Sequence, residues 1–252
     1  MATTHFKDFF SSNSASYAAH RPSYPLSLVQ ELARLSPALT RALDCGCGTG
    51  QLSTLLADRF DEVIASDASA TQIEKARPHD RVIYRIALAE DCGLPDASVD
   101  LITVAQAAHW LNLEKFYVEA QRVARPQAAI ALITYGVLHV DGAVDAAIQH
   151  FYHDTIASYW PTERRHVDTG YRNLPFPFKE LALPPLAIEL QWRLDDLIGY
   201  LKTWSAVKAA ENALGINPVD ELAATLRKSW GGPTVLRKIT WPLSVRAGHI
   251  QQ

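Results

Sequence analysis

Leu43-Asp44-Cys45-Gly46-Cys47-Gly48-Thr49-Gly50 is the stretch on which the fold of this chain turns. It continues Arg41-Ala42-Leu43-Asp44, a short segment that reads as a buried strand. It runs into Gln51 to Phe60, where Leu52, Leu55, Leu56 and Phe60 share one helical face. Three glycines between a strand and a helix let the backbone approach a ligand closely, beside a helix N-terminus whose N–H groups lack intrahelical partners. A merely tight turn would not need so many. The dinucleotide fingerprint is Gly-x-Gly-x-x-Gly, with a pyrophosphate on the helix end. Here the spacing is Gly-x-Gly-x-Gly, and Asp44 precedes it, a poor neighbour for a pyrophosphate and a good one for a cationic amino group. No Gly-Lys-Ser/Thr ending follows, which excludes a P-loop.

Working outward, Glu62 to Ser66 is a second short apolar strand ending at Asp67. A carboxylate there can accept hydrogen bonds from ribose hydroxyls; taken alone it could equally cap a helix over Ala70 to Ala76. Combined with the glycine loop, the ribose role is the better one. Val82 to Leu88, Val99 to Val104 and Ala128 to Tyr135 are further apolar strands, and Pro25 to Leu35 and Leu113 to Val123 carry helical spacing. Five apolar strands separated by helical segments predict a parallel sheet covered on both faces. Two more, Leu186 to Trp192 and Val235 to Val245, would complete a seven-stranded, mostly parallel α/β sheet. Helices are expected over Leu194 to Lys208 and Val219 to Trp230. The whole chain, 1–252, reads as one domain: a lid and first helix over 1–35, a cofactor-binding core over 36–135, an aromatic cap insertion over 136–185 and C-terminal helices and strands over 186–252.

The 252 residues carry 24 Lys+Arg against 27 Asp+Glu, a net charge of -3. A general nucleic-acid binder normally has a basic excess, so no nucleic-acid partner is expected. The three cysteines, Cys45, Cys47 and Cys92, cannot all pair, and no Cys-x-x-Cys accompanies them, so neither a disulfide framework nor a metal is expected. The N-terminal residues lack a signal-peptide pattern, and no apolar run reaches the ~18 residues needed to span a bilayer. A cytoplasmic protein without membrane association is the expectation.

Asp44-Cys45-Gly46-Cys47-Gly48-Thr49-Gly50, then Asp67-Ala68, then Ala89-Glu90-Asp91-Cys92-Gly93-Leu94-Pro95 resemble the first three motifs of the class I S-adenosylmethionine-dependent methyltransferases. The resemblance implies a Rossmann-like fold and S-adenosyl-L-methionine as cofactor. It implies that Asp44, Gly46, Cys47, Gly48 and Gly50 surround the methionine portion and ribose. Asp67 would bind the ribose, Ala68 would pack on adenine, and Ala89 and Glu90 would bracket the ring. Relatives often carry Asp where this chain has Leu88, which leaves open what meets the adenine amine.

Gln106-Ala107-Ala108-His109-Trp110 follows the fourth strand and is similar to the Gln-Ala-x-His-Trp stretch of the trans-aconitate methyltransferase-like group. Ligands of open parallel sheets bind at strand carboxyl ends, so Gln106 is expected to touch cofactor and His109 and Trp110 to face the methyl acceptor; the alternative is a helix cap. Tyr17-Ala18-Ala19-His20-Arg21-Pro22-Ser23-Tyr24-Pro25 is similar to an arm that closes over the cofactor in the same group. Arg21 would then meet the methionine carboxylate and Tyr17 the sulfonium. The alternative is simple packing. Tyr200, Trp204 and Trp241 are taken as core or cap lining, and Arg164-Arg165-His166 as a solvated loop with a minor option of binding a substrate anion.

The expected activity is methyl transfer to a small molecule, through the oxygen of a carboxylate or hydroxyl. A hydroxyl would need a base, and His109 is placed to be one; a carboxylate needs none. A nicotinamide-dependent oxidoreductase and a non-catalytic cofactor-binding protein are the alternatives.

Overall fold

The fold is given by a computed structural model that describes residues 22–251. Its first half alternates strand and helix. Helix α1 (Leu26–Leu35) buries Leu28, Val29 and Leu32. Strand β1 (Arg41–Cys45) is followed by α2 (Gln51–Leu56), β2 (Glu62–Asp67), α3 (Ala70–Glu74), β3 (Val82–Ile86) and β4 (Val99–Ala105). Helix α4 (Leu113–Val123) leads into β5 (Ala124–Tyr135). These five strands are parallel, in the order β3-β2-β1-β4-β5. Side chains alternate across them: Ala42, Val63, Leu101 and Ala131 enter one core with α1 and α2, whereas Leu43, Ile64, Ile102 and Leu132 enter a second with Phe116 and Ala120 of α4. That double burial is why the strands read as apolar runs rather than alternating ones.

The chain order reverses between β1 and β4, leaving a crevice at their carboxyl ends. Beyond β5, helix α5 (Gly142–His150) continues into a wide π turn over Phe151–Thr155, and α6 (Arg164–Asp168) follows. Strands β6 (Glu180–Leu181) and β7 (Ala187–Trp192) precede helices α7 (Leu194–Leu201), α8 (Ser205–Leu214) and α9 (Val219–Trp230). The last strand, β8 (Arg237–His249), runs antiparallel to β5 through Leu243 to His249 and pairs with β7 through Arg237 to Pro242. Pro242, which has no N–H to give, falls where β8 changes partner.

The sheet therefore has eight strands, not the seven expected. The additional strand, Glu180–Leu181, pairs with Ala247 and Gly248 inside a segment assigned to the cap. Two residues carry no periodicity, and their pairing depends on Gly248, where a Cβ would stand 2.9 Å from the Lys179 carbonyl. The helix expected over Leu194 to Lys208 is two helices. Thr203 turns its hydroxyl onto the Tyr200 carbonyl at 2.6 Å, and Trp204 adopts an extended backbone that buries its ring against Tyr152, Trp160 and Tyr200. Packing overrides helix propensity there.

The amino ends of β1, β4 and β5 are clamped together by Asp100, which is fully buried. It accepts from the Thr40 and Arg41 amides at 3.1 and 2.9 Å and from the Arg125 guanidinium at 3.0 Å. Asp100→Ala strands two amides and a partly buried cation, and is expected to cost about 2–4 kcal/mol in urea unfolding. An unchanged midpoint would show that the clamp contributes nothing.

Candidate active site at the crevice of the parallel sheet

The glycine loop folds as it does because its backbone is left-handed where no side chain is tolerated. Gly46 has φ +63°, and a Cβ there would lie 2.6 Å from the Cβ of Ala107. The loops after β1 and β4 are therefore in backbone-level contact across the crevice. Gly50 has φ +83° as the residue opening α2, with the Tyr84 hydroxyl 2.1 Å from where its Cβ would be.

Asp67 at the end of β2 accepts the Gly48 amide at 2.9 Å on one oxygen and the Ser69 amide at 2.8 Å on the other. It does not cap α3; the Ser69 hydroxyl does, accepting from the Gln72 amide. Each Asp67 oxygen keeps a lone pair for a further donor. Asp44 is almost fully buried beneath the loop and accepts the hydroxyls of Ser53 and Thr103, each at 2.7 Å. Burial pushes its carboxyl up to about 6, partly opposed by those two hydrogen bonds. A cation delivered beside it would further favour the ionised form. Burial also pushes the Cys47 thiol well above its ordinary value, so it stays protonated.

Together these loops wall a cavity of about 520 Å³. Of the residues singled out in the sequence, Asp44, Gly46, Cys47, Gly48, Asp67, Ala68, Ala89, Glu90, Gln106, His109 and Trp110 line it. Gly50 does not; it packs behind the loop on Tyr84. Tyr17 and Arg21 lie outside the described residues. Glu90 accepts the Asn112 amide at 2.7 Å, tying the loop after β3 to the start of α4. Leu88 is half exposed at the cavity rim. Gln106 departs from its expected role in one respect. Its side-chain amide is committed to β5, donating to the Tyr135 carbonyl at 2.9 Å and accepting the Thr134 hydroxyl at 2.9 Å. It borders the cavity while its polar groups brace the wall, and its φ of +56° makes that turn.

His109 lies in a short turn, Ala108–Trp110, against which α6 packs. Its Nδ1 is 2.9 Å from the Tyr171 hydroxyl, and its ring leans on Trp110 at 4.6 Å. Burial, then Arg164 and His166, push the imidazole down to about 3, so it is neutral at physiological pH. The Arg164-Arg165-His166 stretch is not a solvated loop. Arg164 stacks over Trp160 at 4.8 Å, donates to the Tyr152 hydroxyl at 2.6 Å and pairs with Asp168 at 3.3 Å. Sequence reasoning missed Tyr171, Glu163 and Lys115. Tyr171 is 62 residues from His109 and no spacing rule joins them. Among the described residues no cluster of His, Cys, Asp and Glu is arranged to hold a metal ion.

A parallel sheet with its order reversed at a glycine-lined crevice, and carboxylates at the ends of β1 and β2, defines a nucleoside-binding α/β domain. Comparison with known proteins narrows this. The methyltransferase domain family matches residues 43–132. A Dictyostelium discoideum protein provisionally named a methyltransferase is 35% identical over 247 residues, 95% of this chain and 94% of its own. The solved structure of a provisionally assigned type II methyltransferase from Anaeromyxobacter dehalogenans is 50% identical, with a TM-score of 0.89 over 92% of this chain and 98% of its own. A malonyl-[acyl-carrier protein] O-methyltransferase from a Methylovorus species is 27% identical over 198 residues, 73% of this chain and 64% of its own. The chain belongs to the class I S-adenosylmethionine-dependent methyltransferases.

S-adenosylmethionine is its cofactor. The crevice suits such a molecule on its own terms: a backbone cradle that a Cβ would fill, free lone pairs on Asp67 for hydroxyls, and a buried carboxylate at Asp44 that gains from a nearby cation. The oxidoreductase alternative is not favoured. No helix of the described residues is long and apolar enough to cross a membrane.

Proposed function

We propose that this enzyme methylates an oxygen of a small-molecule acceptor, with a carboxylate as the preferred nucleophile. The observation that carries this reading is His109: it lines the cavity beyond the glycine loop, it is neutral, and one ring nitrogen already has a partner. A base whose conjugate acid lies near 3 takes a hydroxyl proton poorly. A carboxylate has no proton to lose, so an imidazole that only donates a hydrogen bond suffices to hold it. The O-methyltransferase named among the relatives supports oxygen as the target atom. The slightly acidic chain supports a small molecule over a nucleic acid.

In this reading the loop Gly46 to Gly48 and Asp67 hold the ribose and methionine portions. Asp44 attracts the amino group, and Ala68, Ala89 and Glu90 flank the adenine. When bound, the cofactor supplies a methyl carbon on a cationic sulfur, open to in-line displacement. The protein's part is to align the acceptor oxygen and keep water out. His109 and Trp110 border the acceptor, and Lys115 and Glu163 complete that wall.

The test is a methyl-transfer assay across carboxylic acids and their matched alcohols, with His109→Ala alongside. Carboxylates should be the accepted class. The variant is expected to lose about 10- to 150-fold in turnover, the equivalent of one hydrogen bond to a charged group. Its affinity for S-adenosylhomocysteine should be unchanged. With cofactor saturating, so that its cation holds Asp44 ionised, the wild-type pH–rate profile should show no acid limb near pH 6.5, because His109 takes up its proton only toward pH 3. Normal turnover, or a defect confined to cofactor binding, would remove His109 from the acceptor side.

A further inference from the structure

We propose that Tyr171 is a positioning residue for His109: its hydroxyl donates to Nδ1 and holds the imidazole as the Nε2–H tautomer, a hydrogen-bond donor on the acceptor side of the cavity. The inference rests on the placement of His109 given above and assigns which of its atoms faces which partner.

The geometry around Tyr171 is over-determined. Its side chain is fully buried, and its backbone has φ +63°, a left-handed conformation that costs a residue with a Cβ. Such strain persists only where the surroundings enforce it, and it clusters at functional sites. Here they enforce it from both sides. The Tyr171 amide donates to the His166 carbonyl at 2.8 Å. The Tyr171 carbonyl accepts the Arg246 guanidinium, also at 2.8 Å, and Arg246 is itself fastened to Glu180 at 2.6 Å. Gly170 precedes it with φ +61°, pressed so close to Ser244 that a Cβ would lie 2.5 Å from the hydroxyl oxygen. Strand β8 thus carries the loop that aims the phenol at His109.

The direction of the hydrogen bond follows from counting protons. A phenol has one to give, and burial keeps it on the oxygen by raising the Tyr171 hydroxyl far above its ordinary value. The Thr134 hydroxyl and the Ala108 amide face the same oxygen, and Thr134 gives its own proton to Gln106 at 2.9 Å. His109 Nδ1, at 2.9 Å, is the partner within hydrogen-bond distance of that hydroxyl, and the phenolic proton is assigned to it. A neutral imidazole that accepts at Nδ1 carries its own proton on Nε2. The charged and titratable groups facing the ring agree. Arg164 and His166 of α6 disfavour a second proton, and Tyr171 is neutral. Glu163 and Lys115 line the same cavity as His109.

The test reads the tautomer without any acceptor. Long-range proton–nitrogen correlation spectra of the labelled 252-residue protein distinguish the two ring nitrogens, with His109→Gln identifying the signal. Wild type should show a pyridine-like Nδ1 and a pyrrole-like Nε2, unchanged from about pH 5 to pH 8. Tyr171→Phe keeps the ring and removes the donor; the His109 signals should shift toward mixed tautomers while S-adenosylhomocysteine binds normally. A pyrrole-like Nδ1 in wild type, or a Tyr171→Phe spectrum identical to wild type, would overturn the proposal. If Tyr171→Phe fails to fold, the wild-type spectrum alone decides. Loss of the acceptor-side reading through the His109→Ala assay would leave this measurement intact, so the two fail separately.

Discussion

Asp67→Ala is expected to fold and to bind S-adenosylmethionine and S-adenosylhomocysteine about 10- to 150-fold more weakly, from the loss of about 1.5–3 kcal/mol for a charged acceptor to the ribose. Two effects add in the same direction. The ribose hydroxyls lose their partner, and the Gly48 and Ser69 amides lose the carboxylate that arranges the loop before any ligand arrives. Asp67→Asn separates them: it keeps an oxygen for one amide but loses the charge, so its affinity should fall between the two. Titration calorimetry with S-adenosylhomocysteine is the direct readout, since the product does not turn over. A folded Asp67→Ala protein with unchanged affinity would mean that the ribose lies elsewhere.

Gly46→Ala should be strongly destabilising. The residue needs φ +63°, which a Cβ penalises by about 1–2 kcal/mol. The added carbon would also stand 2.6 Å from the Ala107 Cβ, which sits on backbone and cannot swing aside. Overpacking of that kind costs about 1–3 kcal/mol. The expected total is about 2–5 kcal/mol in denaturant unfolding, with cofactor binding reduced because the crevice must widen. Ala107→Gly in the same chain removes the opposing methyl group. The double variant should therefore recover the packing share and keep the backbone share. If Ala107→Gly rescues nothing, the contact between the loops is not what makes glycine necessary. Gly50→Ala makes a useful contrast, because its obstacle is the end of the Tyr84 ring, which can move.

The cofactor half of the molecule was legible from sequence for local reasons. Glycine in a left-handed turn, an aspartate closing a strand and apolar runs of strand length are each decided within a few residues, and β1 to β5 formed where those signals stood. The eighth strand was not legible, because Glu180–Leu181 is defined by Gly248, which pairs with Glu180 from 68 residues further along. The single helix over Leu194 to Lys208 failed for a related reason. Nothing in the local spacing says that Trp204 has somewhere better to put its ring. Arg164 read as surface because a charged triplet usually is; its stacking on Trp160 and its bond to Tyr152 exist only after the cap has folded.

His109 shows where the division falls. By itself the sequence determined that a histidine follows the fourth strand of a parallel sheet, beside the glycine loop of a methyltransferase, because sheet topology and motif order are written in short-range patterns. Its protonation state belongs to the tertiary structure. An imidazole that would titrate near neutrality in water is held to about 3 by burial, Arg164 and His166, and meets the one phenol that strand β8 presents to it. Desolvation and through-space charge depend on what the folded chain packs around a group. Those neighbours come from α6 and the loop at Tyr171, more than fifty residues further along the chain, and no local pattern at His109 encodes them.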